Sequence, residues 1–282
     1  MSMQISAPQA VAEDFFAVGN TVDDRRRANF VSRQKMLVER MAAKSCFLIN
    51  DFDASDHGPK LDEAHELFVA TQAVLRDGNT ALGLEAETNT RVLERLSDVE
   101  KLFAPFDEAA LAVRDGARDP ALLKDKIGGT SGLLAALERL GGLIDRIYVR
   151  DHFSLPTISK LDYAGLQLWL SQKLVKEACM LATTEQKGLY RIELQDSVTL
   201  FEARLAALRD GEILIGLPPA TDPELVRSLD RVAELWGGMR TPLMAAIARG
   251  DMTAEELRQI VEFSTPLMTA ANDAVFVIEG EI

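Results

Sequence analysis

The chain has 282 residues, 47% of them hydrophobic and 27% charged, a balance typical of a folded globular protein. Aromatic residues make up only 6%, whereas leucine and alanine are frequent, which favours packed helices over sheet. The formal net charge of −13 disfavours nucleic acid and anionic membranes as partners, because both require a basic face. A small anion in one local basic pocket remains compatible with this charge.

The first half of the sequence predicts four helices, over residues 23–51, 60–76 and 85–114 and from 120 onward. Asp23 or Asp24 can cap the first helix, and His57-Gly58-Pro59 is expected to break the chain before the second. Asp77-Gly78 is a glycine stop for the second helix. Asp119-Pro120, a cap residue followed by proline at the first helical position, opens the fourth.

The second half repeats the first at a constant offset. The segment 67–78 recurs as 200–211, and the same register aligns Gln34 with Gln167. It also aligns Cys46 with Cys179, 133 residues further on. A single register held over most of the chain indicates internal duplication. The sequence therefore predicts an all-α fold of two tandem up-down four-helix bundles, with domains 1–150 and 151–282 joined near residues 150–156.

One face of the first predicted helix carries a packing stripe. Phe30, Gln34, Leu37, Met41 and Leu48 follow the spacing of a bundle-facing seam. An amide on such a seam destabilises the fold unless it is hydrogen-bonded, yet the second half keeps the amide as Gln167. Two interpretations stay open, a structural amide that fixes helix register and a ligand contact.

Residues 29–42, read as NFVSRQKMLVERMA, resemble the signature of the PilJ-type sensor domain, roughly N-x-A-G-R-Q-R-M-L-S-Q-R-M-A. Residues 162–174 resemble a second copy of it and keep the Ala-Gly and Leu-Ser-Gln elements. The chain is thus similar to a tandem PilJ-like protein. The family supplies sensing modules of type IV pili methyl-accepting chemotaxis transducers, and nitrate/nitrite sensor kinases carry a related module.

The resemblance implies a non-enzymatic sensor that holds a small oxyanion such as nitrate or nitrite between first helices and signals to a protein partner. The motif arginine is Arg33, whose planar donor fork suits planar oxyanions. The candidate ligand-binding residues are Asn29, Arg33, Gln34, Arg40 and Gln167. The alternative is a structural or protein-interaction helical module that has lost its ligand.

The second half departs from the motif because Leu166 stands where the first half has Arg33. If the two first helices pair as an internal pseudo-dimer, Leu166 is expected to face Arg33 or lie beside it, leaving one arginine per site. The resemblance is also compatible with a homodimer of whole chains.

The remaining chemistry-bearing residues indicate no catalytic site, metal or cofactor. Two cysteines and three histidines are too few for a disulfide scaffold or a zinc cluster. Cys46 and Cys179 are expected to be buried, reduced side chains, although paired first helices would bring them together. The 128–132 stretch, GGTSG, lacks the lysine and strand of a phosphate loop and predicts a close helix approach or a break in the fourth helix.

The sequence shows no apolar run of about 20 residues, the length of a membrane-spanning helix. Residues 1–13 show no basic segment followed by an apolar core, the pattern of a signal peptide. These observations predict a cytoplasmic protein, with the periplasm as the alternative if an export signal has been removed.

Overall fold

The computed structural model describes residues 23–149 and 154–280. This part of the chain is helical throughout, apart from short turns and two isolated bridges, so the all-α prediction is confirmed. The long helices are α1 (Asp23–Ile49), α2 (Ala54–Asp77), α3 (Thr90–Arg114), α4 (Ser131–Ile144), α5 (Leu155–Thr183), α6 (Lys187–Asp210), α7 (Pro223–Arg249) and α8 (Ala254–Gly280). None of the described helices is long and apolar enough to cross a membrane.

The start of α2 differs from the predicted break at His57-Gly58-Pro59. The helix begins at Ala54 and contains Pro59, while the chain reverses at Asp51 and Asp53, which have φ of 52° and 43°. Pro59 is the sixth residue of this helix, so it lies inside the helix and removes one backbone hydrogen bond there. Burial of His57 against aromatic rings holds this first turn in place.

The fourth helical segment opens at Asp119 as predicted. The Asp119 side chain accepts a hydrogen bond from the Ala121 N–H, and Pro120 is the first helical residue. The helix then passes through a π-helical turn, Leu123–Ile127, and breaks before α4 starts at Ser131. At Gly128 a Cβ would lie 2.7 Å from the Leu123 carbonyl oxygen and 2.8 Å from the Tyr190 hydroxyl. Both expectations for this glycine-rich stretch are therefore confirmed.

The turn after the second helix of each half has the same construction. Asn79 pairs with Leu84 in the first half, and Glu212 pairs with Leu217 in the second. A short 3-10 turn lies between the paired residues, at Thr80–Leu82 and Ile213–Ile215. These features recur at the offset found in the sequence, which supports the interpretation of the two halves as duplicates.

Helices α1 and α5 run parallel and form the most extensive helix pair of the described structure. Gly165 approaches Ser32 so closely that a Cβ on the glycine would overlap the Ser32 hydroxyl. Cys46 and Cys179, 14 residues further along each helix, are also in contact. Equivalent positions thus meet each other at two levels, as in an isologous pair.

The buried side chains of both halves form one continuous hydrophobic cluster. The predicted two bundles therefore share a core through α1 and α5. The predicted junction near residues 150–156 falls largely outside the described residues, and the boundary between domains 1–150 and 151–282 stays a prediction.

Candidate functional site

A cavity of about 290 Å³ lies between α1, α4 and α5. Its wall is mainly apolar side chains and glycine, among them Val31, Leu137, Gly141, Val149, Leu161 and Leu166. Asn29, Ser32 and Lys35 reach it from α1. A small, mostly apolar concavity with a few polar groups is the usual form of a small-molecule site.

The described residues that line this cavity do not make it basic. Lys35 is the only cation among these residues, and its ammonium pairs with Glu138 at 2.7 Å. Asp145 and Asp162 also line the cavity. The cavity therefore lacks the guanidinium that the resemblance implies for an oxyanion.

Arg33 lies outside this cavity, fully buried against α8. Its guanidinium stacks on the Phe276 ring, 4.6 Å from the centroid, and its Nε donates to Asn29 Oδ1 at 3.2 Å. Burial lowers the pKa of Arg33 to about 10, and the charge of Glu279 partly offsets this effect. The Glu279 carboxylate, itself buried, accepts a hydrogen bond from the Asn29 amide.

Leu166 does not face Arg33, contrary to the sequence-based expectation. Leu166 borders the cavity beside α4, whereas Arg33 contacts Phe276 of α8. Ser32 and Gly165 meet on the line between the parallel helices. The next residue of each helix turns away from that line, so the two equivalent side chains point to opposite sides of the pair.

The two seam glutamines have structural partners at equivalent places. Gln34 Nε2 donates to the Phe68 carbonyl at 3.3 Å, and Gln167 Nε2 donates to the Phe201 carbonyl at 2.8 Å. Gln34 also accepts a hydrogen bond from Gln72 at 2.5 Å. These bonds connect the first helix of each half to its second helix and support the structural interpretation of the amides.

Arg40 is buried and forms an ion pair with Glu63 of α2. Burial lowers its pKa, and the charge of Glu63 opposes that shift. Of the five residues proposed from the sequence, the structure brings Asn29 and Arg33 together beside Glu279. Gln34, Arg40 and Gln167 each have hydrogen-bond partners on the α2 or α6 side instead.

Cys46 and Cys179 form a disulfide that joins α1 to α5, with both residues fully buried. The expectation of reduced thiols is therefore wrong for this structure. The physical reason is the parallel pairing of α1 and α5, which places equivalent positions opposite each other. The repeat offset was the signal that could have favoured this pairing.

A buried ion pair crosses the same α1–α5 seam between the disulfide and the cavity. Glu39 and the Lys176 ammonium lie 2.7 Å apart, with side-chain exposures of 0% and 5%. Lys176 also donates to the Thr130 hydroxyl at 3.2 Å. Burial lowers the pKa of Lys176, but Glu39 and Glu177 outweigh it and the pKa is raised. Sequence reasoning missed this pair because Glu39, although it lies within residues 29–42, departs from the glutamine of the motif signature, and Lys176 lies outside the second copy at 162–174.

A second buried cluster, also missed, contains Lys44 and His57. The Lys44 ammonium lies 5.5 Å from the centroid of the Phe47 ring, and His57 stacks on the same ring at 4.5 Å. Burial, together with the charges of Arg40 and Lys60, lowers the pKa of Lys44 to about 7. Burial and the Lys44 charge lower the pKa of His57 to about 4.

No group of histidine, cysteine and carboxylate side chains within 23–149 and 154–280 has the arrangement of a metal site. The described structure is thus a helical body with a small cavity, a cross-linked central helix pair and buried charges.

Comparison with known protein families supports a signalling class. Residues 159–263, which span α5 to α8, match the PilJ family, described as the type IV pili methyl-accepting chemotaxis transducer N-terminal region. A search of curated proteins and a search of solved structures found no match. The match confirms the PilJ-like resemblance in the second half of the chain; the tandem arrangement stays a prediction.

Proposed function

We propose that the chain is a non-enzymatic sensor module in which a small molecule binds between the two first helices and alters their packing. The observation that carries this proposal is the cavity beside the Ser32–Gly165 contact of α1 and α5. The PilJ match over residues 159–263 supports the signalling class. The relative position of α1 and α5 is the quantity that a protein partner would read.

The ligand proposed for this cavity is a small molecule with an apolar body. The apolar wall and the ion-paired Lys35 favour it over a free oxyanion. A second version of this proposal has a different ligand and a different site. In it, Arg33 and Asn29 bind nitrate or nitrite. That version requires Glu279 to leave its place beside these two residues. Gln34, Arg40 and Gln167 would then support the helix positions.

A structural or interaction module without a ligand is the competing function. The observation in its favour is the Glu279 carboxylate, which occupies the surroundings of Arg33 with the chain's own negative charge. In that case the α1–α5 pair would serve only to join the halves, or would form part of a surface for a partner or a second chain.

A thermal-shift experiment separates these functions. The parent is heated with nitrate, with nitrite and with a panel of small neutral organic compounds. Gly141→Leu fills the cavity, because a Cβ at Gly141 meets only Val31 at 3.5 Å. Gly132→Leu on the same helix is the control, because a Cβ there meets nothing. We expect a compound that stabilises the parent and the control but not Gly141→Leu.

The other outcomes of this experiment are also decisive. Stabilisation by nitrate that Gly141→Leu retains and Arg33→Met removes would support the oxyanion version. If no compound or anion raises the melting temperature of the parent, the sensor proposal fails and the interaction module replaces it.

We also propose a location in an oxidising compartment, the periplasmic alternative. The disulfide between Cys46 and Cys179 supports this, because such bonds persist in oxidising environments and are rare in the cytosol. Acid-quenched cells treated with a maleimide under denaturing conditions test the proposal. Labelling of both cysteines without prior reduction would contradict it.

A further inference from the structure

A groove on the outer face of the first half has a charge opposite to that of the whole chain. It lies between α3 and α4 and has a volume of about 470 Å³. Arg91 and Arg95 line it from α3, and Arg139 and Arg146 line it on the α4 side. Glu94 is the one carboxylate among the described lining residues. Four arginines and one glutamate give this groove a formal charge of +3 in a protein of −13.

The arginines of this groove are weakly neutralised within the described part of the chain. Arg95 pairs with Asp98 at 2.8 Å, and Arg146 donates to the Gly142 carbonyl. Arg91 and Arg139 form no ion pair with any described residue. Their guanidinium donors are therefore available to a ligand, and a guanidinium fork fits phosphate and carboxylate oxygens in a bidentate manner.

The second half provides an internal comparison for this groove. The positions equivalent to the four arginines hold Glu224, Ser228, Asn272 and Glu279, while Arg227 replaces Glu94. These five equivalent positions carry a formal charge of −1, and one of them, Glu279, is buried beside Asn29 of α1 instead of lining an exposed groove. The helical fold does not require arginine at these positions, so the basic character belongs to the groove of the first half alone.

We propose that the α3–α4 groove binds a small polyvalent oxyanion, a molecule with two or more phosphate or carboxylate groups. Several arginines along one groove can bind several anionic groups at once. A single phosphate is too small to contact all of them. The net charge of −13 does not prevent this, because charges further away than about 8 Å are largely screened at physiological ionic strength. The groove is a different pocket from the cavity between α1, α4 and α5, and Gly142 of α4 lines both.

Isothermal titration with inorganic tripolyphosphate, citrate and phosphate tests the proposal. We expect one saturable site per chain for tripolyphosphate or citrate, with single phosphate much weaker. Tighter binding of tripolyphosphate assigns a phosphate ligand, and tighter binding of citrate assigns a carboxylate ligand. Binding should weaken as salt is added, since the contacts are charged and exposed.

Two charge-matched double variants complete the test. Arg91→Ala with Arg139→Ala removes two groove arginines, whereas Arg227→Ala with Arg231→Ala removes two exposed arginines from α7 of the second half. Exposed ion pairs contribute only modestly to binding, so the loss of two arginines should weaken binding by the groove variant roughly tenfold. The α7 variant should bind like the parent. Equal weakening in both variants, or the absence of saturable binding in the parent, would overturn the proposal.

Discussion

The two halves of the molecule share several backbone features and differ in their buried charge. Both keep the glutamine that donates to the carbonyl of the second helix, and both keep the same turn after that helix. At other equivalent positions the halves diverge, since Arg33 faces α8 whereas Leu166 borders a cavity. The features that fix helix direction and register are the same in both halves. The charged residues differ, and they give each half its own properties.

The pair Lys44 and Glu177 illustrates this divergence at one equivalent position. Glu177 is buried beside the Lys173 ammonium, which also donates to the Ser197 hydroxyl at 2.7 Å. Lys44 is buried beside Arg40 and Lys60, and its burial, together with their charges, lowers its pKa. The second half thus neutralises its buried charge locally, and the first half leaves a lysine that can lose its proton near neutral pH.

The largest expected effect is at the ion pair between the halves. Glu39→Leu leaves the Lys176 ammonium buried without its nearest carboxylate, which should cost about 3–5 kcal/mol of unfolding free energy. Chemical denaturation measures this loss. The double variant Glu39→Leu with Lys176→Met removes both charges and should recover most of the stability. A double variant as unstable as the single one would show that packing, and not charge, causes the loss.

The next effect in size is at the disulfide. Replacing Cys46 and Cys179 by alanine removes a cross-link between distant parts of the chain and should lower the unfolding free energy by about 2–4 kcal/mol. The melting temperature of the parent should fall in a reducing agent, whereas that of the double variant should not change. A parent that does not respond to a reducing agent which fully reduces it would contradict a stabilising role.

A smaller effect is expected at Lys44 as a function of pH. Between its folded pKa of about 7 and the ordinary lysine pKa of 10.5, the unfolded chain holds a proton that the folded protein has released. Stability therefore rises with pH, by about 2 kcal/mol from pH 7 to pH 9. The charged groups acting on the ammonium are Arg40, Asp56, Lys60 and Glu63, with the His57 ring beside Phe47.

Denaturation at several pH values checks this dependence. Lys44→Met removes the titrating group and should give a flat profile between pH 7 and pH 9. His57 acts in the same direction at lower pH, because its pKa is lowered to about 4. A parent that is no more stable at pH 9 than at pH 7 would exclude a neutral Lys44 in the folded state.

The helices could be predicted from the sequence because their ends carry local signals. Asp222 caps α7 by accepting hydrogen bonds from the Glu224 and Leu225 N–H groups. Thr253 and Glu256 form a capping box at α8. The predicted start of α2 was wrong because burial of His57 outweighs the local tendency of a Gly-Pro pair to break a helix.

The surroundings of the candidate site could not be predicted in the same way. Arg33 belongs to a recognisable motif, but its contact with Phe276 depends on how α8 of the other half packs against α1. The same holds for the Glu39–Lys176 pair, whose members lie on different helices. Periodicity shows which face of a helix is buried, and only the assembled fold shows which helix covers it.

The smallest predicted difference concerns the two seam glutamines. Gln34 accepts a hydrogen bond from the buried Gln72, whereas the residue equivalent to Gln72 in the second half is Leu205. Gln167→Leu therefore removes one hydrogen bond and leaves the Phe201 carbonyl without its side-chain donor. Gln34→Leu removes two hydrogen bonds and also deprives the Gln72 amide of its acceptor, so it should be more destabilising by about 1 kcal/mol.

Urea denaturation of both single variants measures this difference. The double variant Gln34→Leu with Gln72→Leu gives the first half the same pair of residues as the second half of the Gln167→Leu variant. It should regain the extra loss, since the Gln72 amide is then no longer buried without a partner. Equal losses for Gln34→Leu and Gln167→Leu would mean that the bond between Gln34 and Gln72 adds no stability, and that the two halves are energetically alike at this position.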